Sequence, residues 1–283
     1  MSKITLLIHC PDTSGIIAHV TSFFYKKQGN IIYIDQYVDV ENTVFFMRLE
    51  CEFNAETNIS ATKEEFKETV AEKYNMSWEM YSDNTLPRMA VFVSKYDHCL
   101  YDILSRYKSN ELKVFIPLII SNHKDLEQVA QNFGIPFHHI PVTAQTKEKA
   151  AEIQLELLQK EKVDFIVLAR YMQIIPKSLI ARFPNRIINI HHSFLPAFAG
   201  AKPYHLAYKR GVKIIGATSH YVTEELDAGP IIEQDITRIS HSHSIKDLIL
   251  KGRDLEKIVL AKGVKYHIER KTLVFNNKTI VFI

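Results

Sequence analysis

No stretch of this sequence approaches the roughly 18 consecutive apolar residues of a membrane-spanning helix, so insertion into a bilayer is not expected. The opening MSKITLLIHCPD has no basic start, long apolar core and small-residue cleavage site, so secretion is not expected and a cytoplasmic chain is. Cysteine is scarce. Cys10, Cys51 and Cys99 are widely spaced and cannot all pair, which excludes a disulfide framework and suits reduced thiols. There is no Lys/Arg block to track a phosphate backbone, and the formal charge of +3 is spread along the chain, so nucleic acid is not an implied partner. The pairs His138/His139, His191/His192 and His241/His243 have no companions at metalloprotease or zinc-finger spacing, so no metal is expected. No fingerprint of a redox cofactor is present either.

What remains is an ordinary globular composition, 46% hydrophobic and 24% charged over 283 residues, with no low-complexity run. That length exceeds the usual size of one core and favours two domains. Residues 3 to 10 form an apolar run ending at Pro11, and from Gly15 the apolar residues recur at Ile16, Val20, Phe23 and Phe24 as one helix face, with Gly29 as its stop. Asn30 to Asp39 and Thr43 to Glu50 are strand-like runs. Phe66, Val70 and Tyr74 repeat at helical spacing, and Met76, Trp78 and Met80 alternate. The order βαββαβ makes a ferredoxin-like unit, a four-stranded antiparallel sheet with two helices on one face and the other face open or dimerised. The polar SDNTLPR from Ser82 to Arg88 reads as a linker. The boundary is set near Leu86, giving domains 1–85 and 86–283.

From Met89 onward, short apolar strands alternate with longer helical patterns: MAVFVS from 89, KVFIPLIIS from 113, FHHIPV from 137, VDFIVLA from 163, RIINIHH from 186 and VKIIGATSHYV from 212. Helices are expected over Asp125 to Phe133, Lys147 to Gln159 and Ser244 to about His267, followed by a terminal hairpin. This is a Rossmann-like, mainly parallel α/β pattern, whose ligands bind beyond the carboxyl ends of the strands.

The densest polar cluster begins at such an end. Asn189 and His191 share a strand face, followed by His192 and Ser193; His220 ends another strand, and Asp227 lies in a loop closed by Gly229 and Pro230. An amide donor, an imidazole and an acid suit acyl chemistry without a covalent intermediate. Spacing alone leaves a second reading open, in which these residues cap a strand, satisfy one another in the interior and serve a turn.

The segment NIHHSFLPAFAGAKPYHLAYKRGVKIIGATSHYVTEELDAGPIIEQD closely resembles the signature of the folate-dependent formyltransferase fold. The resemblance implies that Asn189, His191 and Asp227 are catalytic, with His220 in support. ARYMQIIP, from Ala169, is similar to the segment whose backbone cradles the pterin, which implies that Met172, Gln173 and Ile174 contact folate. The loop from Val222 to Asp227 would wrap the other side. HCPDTSGIIAHVTSFFYKKQGNIIYIDQYVD resembles an ACT domain, a module that often binds amino acids. The order of parts resembles the formyltetrahydrofolate deformylases over essentially the full chain. That resemblance implies hydrolysis of 10-formyltetrahydrofolate to formate and tetrahydrofolate, with folate as substrate and no cofactor.

The alternative is a formyltransferase acting on glycinamide ribonucleotide or another amine. Related transferases bind the acceptor's phosphate with a glycine-rich turn after the first strand. Here that turn is Ser94, Lys95, Tyr96, Asp97 and His98, which has no glycine and carries a repelling carboxylate, so water is the expected acceptor. In the first domain, Asp12, Thr13, Ser14 and Gly15 precede the first helix. Helix capping explains them. The same helix start could receive an effector carboxylate, glycine or methionine, at an interface between ACT domains of a homo-oligomer; Asp12, Ser14 and Gly15 are the candidate contacts.

Overall fold

The computed structural model describes residues 2–54, 58–196 and 203–283. The stretch AFAGAK of the signature segment lies outside them. The chain divides into two compact units, Met1–Leu86 with Phe282–Ile283, and Pro87–Val281.

In the first unit, β1 (Ser2–Pro11) leads to α1 (Ile16–Lys26), then β2 (Asn30–Asp39), β3 (Val44–Phe53), α2 (Ile59–Phe66) and β4 (Ser77–Ser82). α2 runs on through a π turn and a 3-10 turn to Tyr74. The sheet order is β2-β3-β1-β4 and every pairing is antiparallel. One face buries Ile4, Leu6 and Ile8 of β1 and Met47 and Leu49 of β3 against Val20, Phe24 and Phe66 of the helical layer. Each such side chain contributes about 1.5–3 kcal/mol by leaving water, and a one-residue slip of β1 on β3 would turn the set outward, so the Leu6–Leu49 register is strongly specified.

Two local readings need correction. No side chain of Asp12, Thr13 or Ser14 caps α1, because Gly15, at φ 90°, occupies the cap position with its left-handed backbone. At the other end, Gln28, not Gly29, takes the positive φ of 57° that closes the helix. Gly29 is needed for close approach, since a Cβ there would lie 2.4 Å from Cys51 Sγ.

The second unit contains β5 (Met89–Val93), α3 (His98–Lys108), β6 (Ile119–Ser121), α4 (Glu127–Asn132), β7 (Phe137–His139), α5 (Lys147–Lys160) and β8 (Phe165–Ala169). It continues through α6 (Lys177–Arg182), β9 (Ile187–His191), α7 (Pro203–Arg210), β10 (Ile214–Tyr221), β11 (Ile231–Arg238), α8 (Ile245–Ile268) and the hairpin β12 (Thr272–Phe275) and β13 (Lys278–Val281). The main sheet has the order β11-β10-β9-β8-β5-β6-β7. β9 through β7 are parallel, and β10 runs antiparallel to both its neighbours. Its apolar strands are buried on both faces, under α3 and α8 on one side and α5 and α6 on the other.

The run KVFIPLIIS yields only Ile119–Ser121 as a strand, because Pro117 cannot donate to a ladder. β11 was not expected. Its side chains are mostly half-exposed and lack an apolar run, as suits an edge. The chain order reverses direction across the sheet between β5 and β8. In open α/β sheets the carboxyl edge at such a point opens a crevice. Among the described residues, no helix is long and apolar enough to cross a membrane.

Candidate active site

A cavity of about 690 Å³ opens at that crevice. β9 places Asn189 and His191 on it by strand alternation, β10 brings His220 opposite Asn189 in register, and the loop after β10 carries Asp227. His191 Nδ1 is 3.2 Å from Asp227 Oδ2, and His220 Nε2 is 3.7 Å from Asp227 Oδ1. Asn189 Nδ2 lies 3.1 Å from His220 Nε2, while His220 Nδ1 donates to the Tyr221 carbonyl at 2.9 Å. That last bond puts the proton of a neutral His220 on Nδ1, so Nε2 accepts from Asn189 and fixes the orientation of the amide. All four expected residues of the cluster therefore converge.

Asp227 is ionised far into acid, because the hydrogen bond from His191, and then the nearness of His220, hold its carboxyl well below the usual carboxylate range despite partial burial. His191 lines the cavity, and with Nδ1 on Asp227 its other ring nitrogen, Nε2, is buried and has no partner among the described residues. Asp227 has φ 54°, an uncommon left-handed conformation for a non-glycine residue. Its loop is held by Asn277 Nδ2 on the Ala228 carbonyl and by close passage of Gly229, where a Cβ would lie 1.8 Å from the Tyr221 carbonyl oxygen.

Met172, Gln173, Ile174 and Val222 line the same cavity. Met172 and Ile174 are 52% and 64% exposed, so this segment presents apolar side chains to solvent where a flat ring system could cover them. Its backbone is anchored by two residues that sequence reasoning missed: Ser94 Oγ donates to Asn122 Oδ1 at 2.6 Å and accepts from the Met172 amide at 2.9 Å.

A third group was also missed. Glu256 of α8 is 1% exposed and accepts from His98 Nε2 at 2.8 Å and Tyr204 Oη at 2.6 Å, with Arg170 Nε at 3.4 Å. Burial raises its pKa, but the His98 hydrogen bond, the Arg170 charge and Tyr204 outweigh this, so it lies below the usual glutamate value. In sequence, Glu256 is one of several charges along α8. Its signal was Gly252, one turn earlier, where a Cβ would meet Tyr204 Oη at 2.0 Å. His98, Cys99 and Glu256 bring ligand-type atoms within 4.8 Å of one another. The Arg170 charge and a Cys99 thiol pushed far up by burial and by Glu256 both oppose a cation there. In the first unit, Asp12, Ser14 and Gly15 lie exposed at the start of α1.

Residues 87–264 match the Formyl transferase family, and residues 4–66 match the ACT domain family. The fold and site thus define a formyl-transferase-type α/β enzyme that carries an ACT domain. The chain is 50% identical to a formyltetrahydrofolate deformylase of Synechocystis, over 98% of each chain. It superposes on the crystal structure of a formyltetrahydrofolate deformylase from Pseudomonas syringae with a TM-score of 0.97, at 45% identity, covering 100% of this chain and 95% of that one. A glycinamide ribonucleotide transformylase from Symbiobacterium toebii matches 72% of this chain and 97% of its own, with a TM-score of 0.67 and 28% identity. The chain belongs to the formyltetrahydrofolate deformylase family.

Proposed function

We propose that this protein hydrolyses 10-formyltetrahydrofolate to formate and tetrahydrofolate. The observation that carries the reading is the convergence of Asn189, His191, His220 and Asp227 on one cavity, with His191 Nε2 buried and without a partner among the described residues. Asn189 donates to the oxyanion, His220 orients that amide, and the Asp227–His191 pair takes a proton from water as its oxygen adds to the formyl carbon. His191 then returns a proton to the departing nitrogen, the C–N bond breaks and formate leaves. No cofactor or metal takes part; Met172, Gln173, Ile174 and Val222 hold the folate ring.

Water is favoured over an amine acceptor by what borders α3. Its first residue, His98, is tied to Glu256, and Asp97 stands beside it, so carboxylates occupy the place where an acceptor's phosphate would need a free anion site. Equal amounts of formate and tetrahydrofolate produced with no amine present support the reading. Strict dependence on glycinamide ribonucleotide overturns it.

The enzyme would act in the reducing cytosol, which its three free, buried cysteines suit. There, deformylation returns tetrahydrofolate and supplies formate for purine synthesis. Unrestrained, it would drain one-carbon units. Glycine or methionine, bound near Asp12, Ser14 and Gly15 between ACT domains of a homo-oligomer, would supply the control. Calorimetric titration of the amino acids checks this. No binding and unchanged kinetics with any of them remove it.

A further inference from the structure

Beside His191 lies a second imidazole that the roles above leave unused. The rings of His191 and His192 are nearly parallel, 13° apart with centroids 5.2 Å apart, and His192 lines the same cavity. Its Nδ1 is engaged by Nη1 of Arg170. A guanidinium has donors only, so Nδ1 must be the acceptor, and a neutral His192 therefore carries its proton on Nε2. The two ring nitrogens point in diverging directions, so Nε2–H turns away from Arg170. It has no partner among the described residues. Burial, and then the Arg170 charge, pushes the ring down to about 4, so it is neutral at neutral pH.

The surroundings fix this arrangement. Arg170 has φ 63°, and its guanidinium lies over the Tyr96 ring at 5.1 Å and beside the buried Glu256 carboxylate. The turn after His192 is pinned by Thr218, whose Oγ1 donates to the Ser193 carbonyl at 2.9 Å and accepts from the Leu195 amide at 3.1 Å. A neutral, weakly basic imidazole locked as a donor is unsuited to moving protons and suited to stabilising negative charge. The site needs such a group. One N–H of Asn189 is taken by His220, which leaves a single amide donor for an oxygen that becomes an anion.

We propose that His192 is a catalytic residue, its Nε2–H donating to the formyl oxygen as the second arm of the oxyanion site, in the tautomer set by Arg170. The proposal rests on the deformylase reading above. As the water oxygen bonds the formyl carbon, the carbonyl electron pair moves onto the formyl oxygen, between Asn189 and His192. On collapse that pair re-forms the carbonyl and the C–N bond electrons leave with the nitrogen, which takes its proton from His191. His192 neither gains nor loses a proton.

The test uses the full-length protein with His192→Phe, which keeps the ring but loses the donor, and His192→Gln, which places an amide N–H near the position of Nε2. His192→Phe should lower kcat by roughly 10²–10³-fold, with KM within about two-fold and the acid limb of the pH profile unmoved. His192→Gln should recover at least about ten-fold of that loss. Nitrogen NMR of histidine-labelled wild type should find the His192 proton on Nε2 at neutral pH, and Arg170→Met should release that preference. A kcat for His192→Phe within about three-fold of wild type, no recovery with His192→Gln, or a proton on Nδ1 would each overturn the proposal. Wild type that releases no formate without an amine removes the deformylase reading, and this role with it. An active wild type with the proton on Nδ1 removes this proposal alone.

Discussion

His191 and Asp227 meet at 3.2 Å, Nδ1 to Oδ2, and that contact leaves Nε2, which is buried and has no partner among the described residues, as the ring nitrogen of His191 not engaged by the acid. A carboxylate that holds an imidazole by one edge fixes which edge can exchange protons with substrate. Asp227→Asn keeps the size and replaces the acceptor that orients His191. We expect kcat to fall by roughly 10²–10⁴-fold, with KM nearly unchanged and the same melting behaviour. Steady-state formate release beside a thermal melt checks this. Activity within a few-fold of wild type would remove Asp227 from the mechanism.

The cavity-lining segment that begins at Met172 is held by a side chain from the loop after β5. Ser94 Oγ holds the Met172 amide at 2.9 Å, and its loss leaves that donor without its bond. One such bond contributes about 0.5–1.5 kcal/mol, so Ser94→Ala should raise KM for the folate by about 2- to 10-fold while kcat changes less. Equal effects on both constants would place the defect elsewhere.

Gly229 passes so close to the Tyr221 carbonyl oxygen that a Cβ would lie 1.8 Å from it. Gly229→Ala must push the loop that carries Asp227 away from β10. The expected result is a loss of about 1–3 kcal/mol of stability, with a far larger fractional loss of activity because Asp227 moves off His191. Denaturant unfolding and kinetics on the same variant separate the two effects.

Stability should fall as the solution is acidified through the histidine range. His267 is pushed down to about 3 by burial, and further by Arg270 and Arg186, and it shares a 2.8 Å hydrogen bond with Tyr221 Oη. An unfolded histidine titrates near 6.5, so between the two values the unfolded chain binds the extra proton. The contribution is therefore fully present above about pH 6.5 and is lost as the pH falls toward about 3, by roughly 1.4 kcal/mol per unit. His192, lowered for similar reasons, acts with the same sign. Between pH 7 and pH 5, unfolding of the unit that carries His267 should lose about 2 kcal/mol from this residue, and His267→Gln should flatten the slope by that amount. Parallel slopes for wild type and variant would contradict it.

How much was legible beforehand follows from what each feature depends on. The apolar run of β1 and the shared face of Asn189 and His191 on β9 depend on local sequence pattern, so both could be read from the chain. His220 and Asp227 stood out as polar residues at a strand end and in a loop, but only the resemblance gave them roles, because spacing does not show that a loop acid meets a strand imidazole. β11 went unread, since an edge strand with half-exposed side chains has no apolar run. The run from Lys113 was over-read because Pro117 interrupts hydrogen bonding without lowering hydropathy. The Arg170–Glu256–Tyr204 group joins residues from the end of β8, from α8 and from α7, and only the fold brings those side chains together.

The most direct test of the account is the source of the formate oxygen. Purified protein is given 10-formyltetrahydrofolate in water enriched in oxygen-18, with no amine acceptor, and the formate is read by mass spectrometry beside tetrahydrofolate. The account predicts one heavy oxygen in each formate, in step with tetrahydrofolate. No formate without an amine, or tetrahydrofolate released only when glycinamide ribonucleotide is added and becomes formylated, would contradict it.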